Sequence, residues 1–289
     1  PASKCFIPAV TLTADEVQSG GHGTRVAGAI LYPRMVPPTG TQKARVWIQN
    51  ARVLNKDNKL PITLFPPALI RQVVGHYLSK YGTKLFNHSI SASFPHRIGR
   101  MSAWAAAIDH LCNEHDVLII TAAGNIDRID TLPTRKSVRD LAGAGHPGFL
   151  LEATCRVANP AQSLQALTVG SIAIDGFSNG IWRSIAAKDF PSAFSRTGLG
   201  LWGTIKPEVV EYGGDFVRDN NIPMLLTTRF ETSPELIRST LHGGPAYARD
   251  TSGTSFAAPK VMHIAAELAR MFPDQSALLY RGLIVQSAR

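Results

Sequence analysis

The sequence predicts an α/β domain in three layers, with a mostly parallel central sheet and helices on both of its faces. Residues 116–121 and 166–172 are short and mostly apolar, which is typical of strands buried on both sides. Helical segments alternate with such strands along the chain, and this alternation indicates parallel strands joined by crossovers. With 289 residues, of which 44% are hydrophobic, the chain can bury one large core, so we expect a single domain over residues 1–289.

Each predicted element has a local reason. Residues 44–54 are rich in Val and Ile, as strands are. Pro66 and Pro67 begin a helix, because the amides of a first helical turn need no partner, and Gly82 ends it. The predicted strands are residues 44–54, 84–90, 116–121, 166–172 and 206–212, and the predicted helices begin at His22 and span residues 66–82, 101–115, 255–271 and 275–287.

Two long stretches, residues 126–157 and 213–251, fit no regular element, apart from one hairpin expected around residues 223–229. Long irregular stretches in compact domains are usually functional loops or flexible insertions. Both stretches adjoin segments that carry chemistry. Lids or substrate-shaping loops on one hand, and plain surface insertions on the other, both remain open as interpretations.

Composition excludes several classes of protein. No apolar run is long enough to span a membrane, and we expect no membrane segment. The net charge is +9, but Lys and Arg are scattered without a nucleic-acid reader motif, so acidic partners or a solvated basic face fit better than nucleic acid. Cys5, Cys112 and Cys155 have unrelated spacings, which predicts buried free thiols rather than disulfides or a metal set and favours a cytoplasmic location. No cofactor or metal is expected.

One reactive hydroxyl lies in the segment GTSFAAP at residues 253–259. Gly253 allows a sharp turn, and the following residues begin a helix, so Ser255 lies at a helix N-terminus. The positive end of the helix dipole there favours an oxyanion forming beside the hydroxyl. Ser255 is therefore a candidate nucleophile, although a serine in this position can also serve only as a helix cap.

Two further segments, GHGTRVAG at residues 21–28 and AAGN at residues 122–125, each offer one polar group among small residues. The small residues after His22 let another helix pack closely, which could bring its imidazole within reach of a hydroxyl as a general base. Asn125 follows the strand 116–121 at its carboxyl end, where parallel sheets bind ligands. Taken singly, each could be an ordinary structural or turn residue.

In this order, the three segments resemble the His, oxyanion Asn and Ser segments of the subtilisin-like serine proteases, the subtilases of peptidase family S8. The resemblance runs from about residue 20 to the C-terminus, apart from the two irregular stretches. It implies a serine endopeptidase with Ser255 as nucleophile, His22 as general base, and Asn125 with the Ser255 backbone N–H as oxyanion hole. It also implies a peptide or protein substrate. The substrate-binding residues that it implies are Ser89, Ile90, Ser91, Ala122, Ala123 and Gly124.

The acid of the catalytic triad is missing from this pattern. In subtilases it comes several tens of residues before the histidine, at the end of an early strand, but only 21 residues precede His22. Asp15, seven positions before His22, is the candidate within this sequence. The other explanation is that the chain is a piece of a longer one, with the acid lying upstream or supplied by another segment or domain of the same chain.

Three functions stay open on the sequence. Replacing the triad acid by an amide costs about 10⁴-fold in turnover, so a chain that lacks the acid is a feeble enzyme. The first reading is an endopeptidase whose acid lies outside this sequence. The second is a weak or inactive relative that binds peptides in the same groove. The third is a peptide ligase or macrocyclase that passes the acyl group to an amine, with residues 126–157 shielding the intermediate.

Overall fold

A computed structural model describes residues 3–17, 20–34, 36, 40–41, 43–129, 136–141, 145–222, 226–227 and 251–288. Within these residues there are nine strands and six α-helices. The strands are β1 (Ser3–Cys5), β2 (Asn50–Arg52), β3 (Leu85–His88), β4 (Leu118–Ala122), β5 (Leu167–Ile172), β6 (Trp182–Ser184), β7 (Val209–Tyr212), β8 (Val217–Asp219) and β9 (Leu226–Thr227). The helices are α1 (His22–Leu31), α2 (Pro66–Tyr81), α3 (Ala103–His115), α4 (Val138–Leu141), α5 (Thr254–Met271) and α6 (Ala277–Ser287).

The centre of the fold is a parallel sheet in the order β3-β4-β5-β7. A separate parallel pair, β1 and β2, lies beside it, and β6, β8 and β9 form a small antiparallel sheet. The sheet is therefore mostly parallel, as the sequence predicts. Parallel strands all end at the same edge, so the loops that follow β3 and β4 meet there.

Helices cover the central sheet on both faces, and β4 shows how. Its residues alternate between the two sides, as strand geometry requires. Leu118 and Ile120 belong to a buried cluster with α5 and α6, whereas Ile119 belongs to a second cluster with α2 and α3. Because β4 is buried on both faces, it has no polar side in the sequence. The predicted three-layer α/β fold is confirmed.

Two helices begin or end at residues that favour helix ends. Helix α2 begins at Pro66, and the N–H of Gly82 closes its last turn in the left-handed conformation, with φ of +66°. Ser102 caps α3 by accepting a hydrogen bond from the Ala105 N–H. Strand β2 is much shorter than the predicted strand 44–54, since Val46, Trp47 and Ile48 lie outside it.

The stretch 126–157 is more ordered than its sequence indicates. It contains α4, and its apolar side chains form a cluster of their own with Ile126, Ala193 and Phe194. The interpretation of this stretch as an insertion stays a prediction, and the described elements in it are short and have packing partners far along the chain. Of the stretch 213–251, the structure describes β8, β9 and a few flanking residues, and most of the expected hairpin at 223–229 lies outside the described residues.

All three cysteines are free thiols, as expected, although Cys5 and Cys112 are only partly buried and Cys155 alone is fully buried. Burial raises the pKa of Cys112 to about 12 and that of Cys155 to about 11, so neither is a thiolate near neutral pH. Every helix in the described part of the chain is too short or too polar to cross a membrane.

Gly213 links the end of β7 to the start of the serine segment, and its replacement offers a test of this packing. Its carbonyl accepts a hydrogen bond from the Gly253 N–H at 2.8 Å, and a Cβ added at Gly213 would lie 2.7 Å from the Gly253 carbonyl oxygen and against Ser171. We therefore expect Gly213→Ala to lower the free energy of unfolding by about 1–3 kcal/mol.

The matched control for this change is Gly75→Ala. Gly75 lies within α2, where an added Cβ meets no atom within 4 Å. Alanine is favoured over glycine inside a helix, so this variant should gain about 0.5–1 kcal/mol. Urea denaturation of both variants gives the comparison, and equal stabilities would show that Gly213 is not tightly packed.

Candidate active site

The candidate residues lie at the carboxyl edge of the central sheet. Ser89 follows β3, Asn125 follows β4, and Ser255 is the second residue of α5. This is the edge at which open parallel sheets bind ligands. The sequence places these residues far apart, and the fold brings their segments together through direct hydrogen bonds.

Ser255 and Ser89 are joined by two reciprocal hydrogen bonds. The Ser255 hydroxyl donates to the Ser89 carbonyl at 3.2 Å, and the Ser89 hydroxyl donates to the Ser255 carbonyl at 3.2 Å. The Asn87 side-chain amide in turn donates to the Ser89 hydroxyl at 3.0 Å. The end of β3 is thereby attached to the start of α5. Among the described residues, no hydrogen bond joins the Ser255 hydroxyl to the His22 imidazole.

Asn125 is held by Thr254. Its side-chain carbonyl oxygen Oδ1 accepts hydrogen bonds from the Thr254 N–H at 3.0 Å and from the Thr254 hydroxyl at 2.9 Å. Because Oδ1 is occupied, the remaining polar group of the side chain is the donor Nδ2. The backbone N–H of Ser255 lies in the first turn of α5, where amides have no partner inside the helix. Asn125 Nδ2 and this N–H are therefore the two candidate donors for a negatively charged oxygen.

Gly253 keeps space for the Asn125 amide. A Cβ added at this glycine would lie 3.3 Å from Asn125 Nδ2 and 3.6 Å from the ring of Phe256. Its φ of +156° is also a value that other residues rarely adopt. The glycine before Thr254 is therefore required both by the turn into α5 and by the position of the amide.

His22 is the first residue of α1, which packs against α5. The small residues Gly28 and Ala29 are buried in this helix, in keeping with a close approach. The His22 ring lies beside Phe256, the residue after Ser255, with 6.0 Å between ring centroids. Removal of the ring from water, together with the positive charge of Arg25, lowers the pKa of His22 to about 4. The imidazole is therefore neutral near pH 7, in the form that accepts a proton.

Asp15 is bound to the N-terminus of α1. Its carboxylate accepts hydrogen bonds from the backbone N–H groups of Val17 and Gly21 and from the Thr24 hydroxyl. Burial acts to raise the pKa of Asp15, but these hydrogen bonds outweigh it and the pKa is lowered. Both oxygens are used by these hydrogen bonds, and within the described residues none is bonded to the His22 imidazole. The role of Asp15 as acid stays a prediction, and the geometry supports a role in holding the loop before α1 against Thr24 instead.

The predicted substrate-binding segments face each other. A Cβ added at Gly124 would lie 3.4 Å from the Ser91 hydroxyl, which places residues 89–91 next to residues 122–124. The backbone of Ala123 is already paired, since its N–H donates to Val169 and its carbonyl accepts from Ala158. Residues 122–124 can therefore form one side of a substrate groove, but the Ala123 backbone is not available to pair with a substrate strand. Ile90 is partly buried against the α3 side of the core, and Ala122 ends β4.

A cleft of about 1050 Å³ separates β2 from β3. Residues 46–55 line one side, and residues 82–87 with Ser89 and Ile90 line the other. His22 also lines the cleft. Strand β1 pairs with β2 but does not line the cleft, and among the described residues no strand pairs with β2 or β3 on the side of the cleft, although the Asn50 carbonyl accepts a hydrogen bond from the Tyr77 hydroxyl.

Sequence reasoning missed the residues that orient the candidates. Thr254 fixes the Asn125 side chain, and Asn58 accepts a hydrogen bond from the His22 N–H at 3.0 Å. Neither residue has a signal of its own in the sequence, and Arg196 has none beyond its place in the part of the chain that resembles the family. Within the described ranges, no three side chains of His, Cys, Asp or Glu come together as a metal site.

Comparison with known proteins places this geometry in a family. Residues 5–289 match the model of the subtilase family, Peptidase_S8. The chain is 32% identical over 231 residues to the uncharacterized protein y4bN of Sinorhizobium fredii (strain NBRC 101917 / NGR234), and the match covers 77% of this chain and 52% of that protein. The chain thus spans about half the length of this curated relative.

Among solved structures, the chain is similar to the crystal structure of a cold adapted subtilisin-like serine proteinase. The TM-score is 0.56 at 19% identity, and the superposition covers 98% of this chain and 72% of that chain. At this identity the likeness supports the fold, while the family match supports serine-protease chemistry in general. The chain belongs to the subtilase family.

Proposed function

We propose that this chain is the catalytic part of a serine endopeptidase that cleaves peptide bonds through an acyl-enzyme on Ser255. The observation that carries the proposal is that Thr254 fixes the oxygen of the Asn125 amide, which leaves the donor Nδ2 beside Gly253 at the start of α5. Donors that are fixed before substrate binds stabilise the transition state without reorganising.

The proposed reaction has two steps. The Ser255 oxygen attacks the carbonyl carbon of a peptide bound between residues 89–91 and 122–124, and His22 accepts the hydroxyl proton. The oxyanion is held by Asn125 Nδ2 and the Ser255 N–H, and the protonated His22 then gives its proton to the leaving amine. Water activated by His22 hydrolyses the ester in the second step. The Ser255 hydroxyl must first leave the Ser89 carbonyl, a change that rotation about one side-chain bond allows.

We further propose that the acid is carried by an extended segment outside residues 1–289 that enters the cleft between β2 and β3. Two strand edges facing each other leave N–H and C=O groups available on both sides, so one more strand would pair with both. His22 lines the same cleft and lacks a carboxylate partner among the described residues. The matched relative is much longer than the matched region, which leaves room for such a segment in proteins of this kind.

The nucleophile assignment is tested by Ser255→Ala in the full-length protein. We expect loss of peptide cleavage and loss of covalent labelling by a phosphonofluoridate, because the variant lacks the proposed nucleophile and the neighbouring Thr254 hydroxyl is bonded to Asn125 Oδ1. Peptide binding should be nearly unchanged. The measurements are initial rates and the mass of the labelled protein, with Ser252→Ala as the control that keeps both activities.

These measurements separate the three functions. Unchanged cleavage in Ser255→Ala contradicts the assignment. A parent protein that binds peptides but is never labelled when folded is a binding module. A labelled protein that joins or cyclises peptides, as mass spectra of the products would show, is a ligase rather than a hydrolase.

The oxyanion hole is tested by Asn125→Asp. Aspartate keeps an oxygen to accept from Thr254 but replaces the donor Nδ2 with a second oxygen. We expect kcat to fall by about a hundredfold to a thousandfold, the range known for removal of this donor in subtilisin and applied here by analogy. An unaltered unfolding midpoint with this loss supports the assignment. Unchanged kcat would show that Nδ2 does not contact the oxyanion.

The origin of the acid is tested by the titration of His22. In residues 1–289 alone, its pKa is about 4. A carboxylate beside the ring favours the charged form, so in the full-length protein we expect the pKa to rise towards or above its ordinary value of about 6.5. Nuclear magnetic resonance of the imidazole ring gives both values. The same low pKa in both proteins would contradict an external acid.

The control for this titration is Asp15→Asn. If Asp15 only holds the loop before α1, the variant should lose about 1 kcal/mol of stability, as expected for weakened hydrogen bonds, and leave the pKa of His22 unchanged. If Asp15 were the acid, its neutralisation would lower the pKa of His22. The two roles therefore predict different titration curves from the same protein.

A further inference from the structure

Arg196 connects three segments around the candidate site. It is buried, with 4% of its surface exposed. Its Nε donates to the Asn125 carbonyl at 3.0 Å and Nη2 to the Ser93 carbonyl at 2.9 Å. Its Nη1 donates to the carbonyls of Thr154 and Arg156 at 2.9 and 3.1 Å. One guanidinium group thus holds three segments: the loop after β4 that carries Asn125, the segment after β3 that carries Ser93, and the end of the stretch 126–157.

Backbone hydrogen bonds next to Arg196 hold the same loop. The Arg196 N–H donates to the Gly124 carbonyl at 3.1 Å, and the Ile126 N–H donates to the Phe194 carbonyl at 2.7 Å. The peptide units on both sides of Asn125 are therefore fixed by one neighbouring segment. Because the side chain of Asn125 leaves the backbone between these two points, its direction depends on them.

Arginine is suited to this position for a geometric reason. Its planar group carries five N–H donors in fixed directions, and four of its hydrogen bonds here go to carbonyls of separate peptide units. Lysine has three donors on a single nitrogen and cannot reach the same set. The stem of Arg196 also fills space beside Gly124, since a Cβ added at that glycine would lie 3.1 Å from Arg196 Cδ.

We propose that Arg196 is a positioning residue that sets the direction of the Asn125 donor and the distance between the two sides of the substrate groove. The proposal rests on the function proposed above. Arg196 does not touch the reacting atoms but acts through Asn125 on one side and through Ser93 on the other. Its removal should displace the oxyanion donor rather than unfold the domain, because the backbone bonds to Gly124 and Ile126 remain.

The test is a double-mutant cycle in the full-length protein, using Arg196→Lys, Asn125→Ala and both together. A displacement of about 1 Å can cost about a hundredfold in rate, so we expect Arg196→Lys to lower kcat by about that factor and KM to change much less. In the Asn125→Ala background the same change should lower kcat only slightly, since the donor that it positions is already absent. Rates are divided by the fraction of protein labelled at Ser255, and Arg183→Lys, at an exposed arginine of β6, is the control.

The outcomes decide between positioning and stability. If Arg196→Lys lowers kcat by the same factor with Asn125 present and in Asn125→Ala, Arg196 does not act through Asn125 and the proposal is overturned. If Arg196→Lys does not fold, Arg196→Gln gives the same cycle, and failure of both variants to fold assigns Arg196 to stability instead.

A second measurement does not depend on catalysis. The side-chain amide resonances of Asn125 should shift and broaden in Arg196→Lys but stay in place in Ser255→Ala. Unshifted resonances in Arg196→Lys overturn the positioning role even if the protein proves to have no peptidase activity. Absence of labelling at Ser255 in the parent protein, with shifted resonances in Arg196→Lys, refutes the proposed function alone.

Discussion

The two hydrogen bonds from Thr254 to the Asn125 side-chain carbonyl are the interaction on which the site depends. An amide side chain can be turned over by rotating its last bond, and the two orientations present opposite groups to the cleft. Because Thr254 donates two hydrogen bonds to Oδ1, the Asn125 side chain presents Nδ2 as its remaining polar group. Thr254 is also the first residue of α5, so the same contact sets where the helix begins and where the next residue, Ser255, points its N–H.

This contact connects the sheet to the helix layer. Asn125 belongs to the loop after β4, and Thr254 to the helix that covers the other end of the same buried cluster. Gly253 allows these two segments to approach, because a Cβ there would lie 3.3 Å from Asn125 Nδ2, and Gly213 allows the end of β7 to approach Gly253. The geometry of the site is therefore a consequence of core packing, and small changes at these glycines reach the reactive groups through the backbone.

Sequence reasoning found the parts with a local signal. The apolar run of β4, the prolines of α2 and the cap at Gly82 each follow from residues within a few positions, and the three polar segments were recognisable by their composition. What it could not find depends on contacts across the chain. The hydrogen bonds of Asp15 to Gly21 and Thr24, the cleft between β2 and β3 and the four carbonyls around Arg196 all join residues that no spacing rule relates. The cluster formed by residues 126–157 escaped for the same reason, since it closes on Phe194.

The pairing of the His22 ring with Phe256 has a consequence for biosynthesis. During synthesis on the ribosome, α1 emerges long before α5. The His22 imidazole therefore has no contact with Phe256 until most of the domain has been made. A partial product that ends before α5 lacks Ser255, the nucleophile of the proposed reaction, whatever secondary structure it forms. On the proposed function, cleavage by the chain therefore has to await the synthesis of α5.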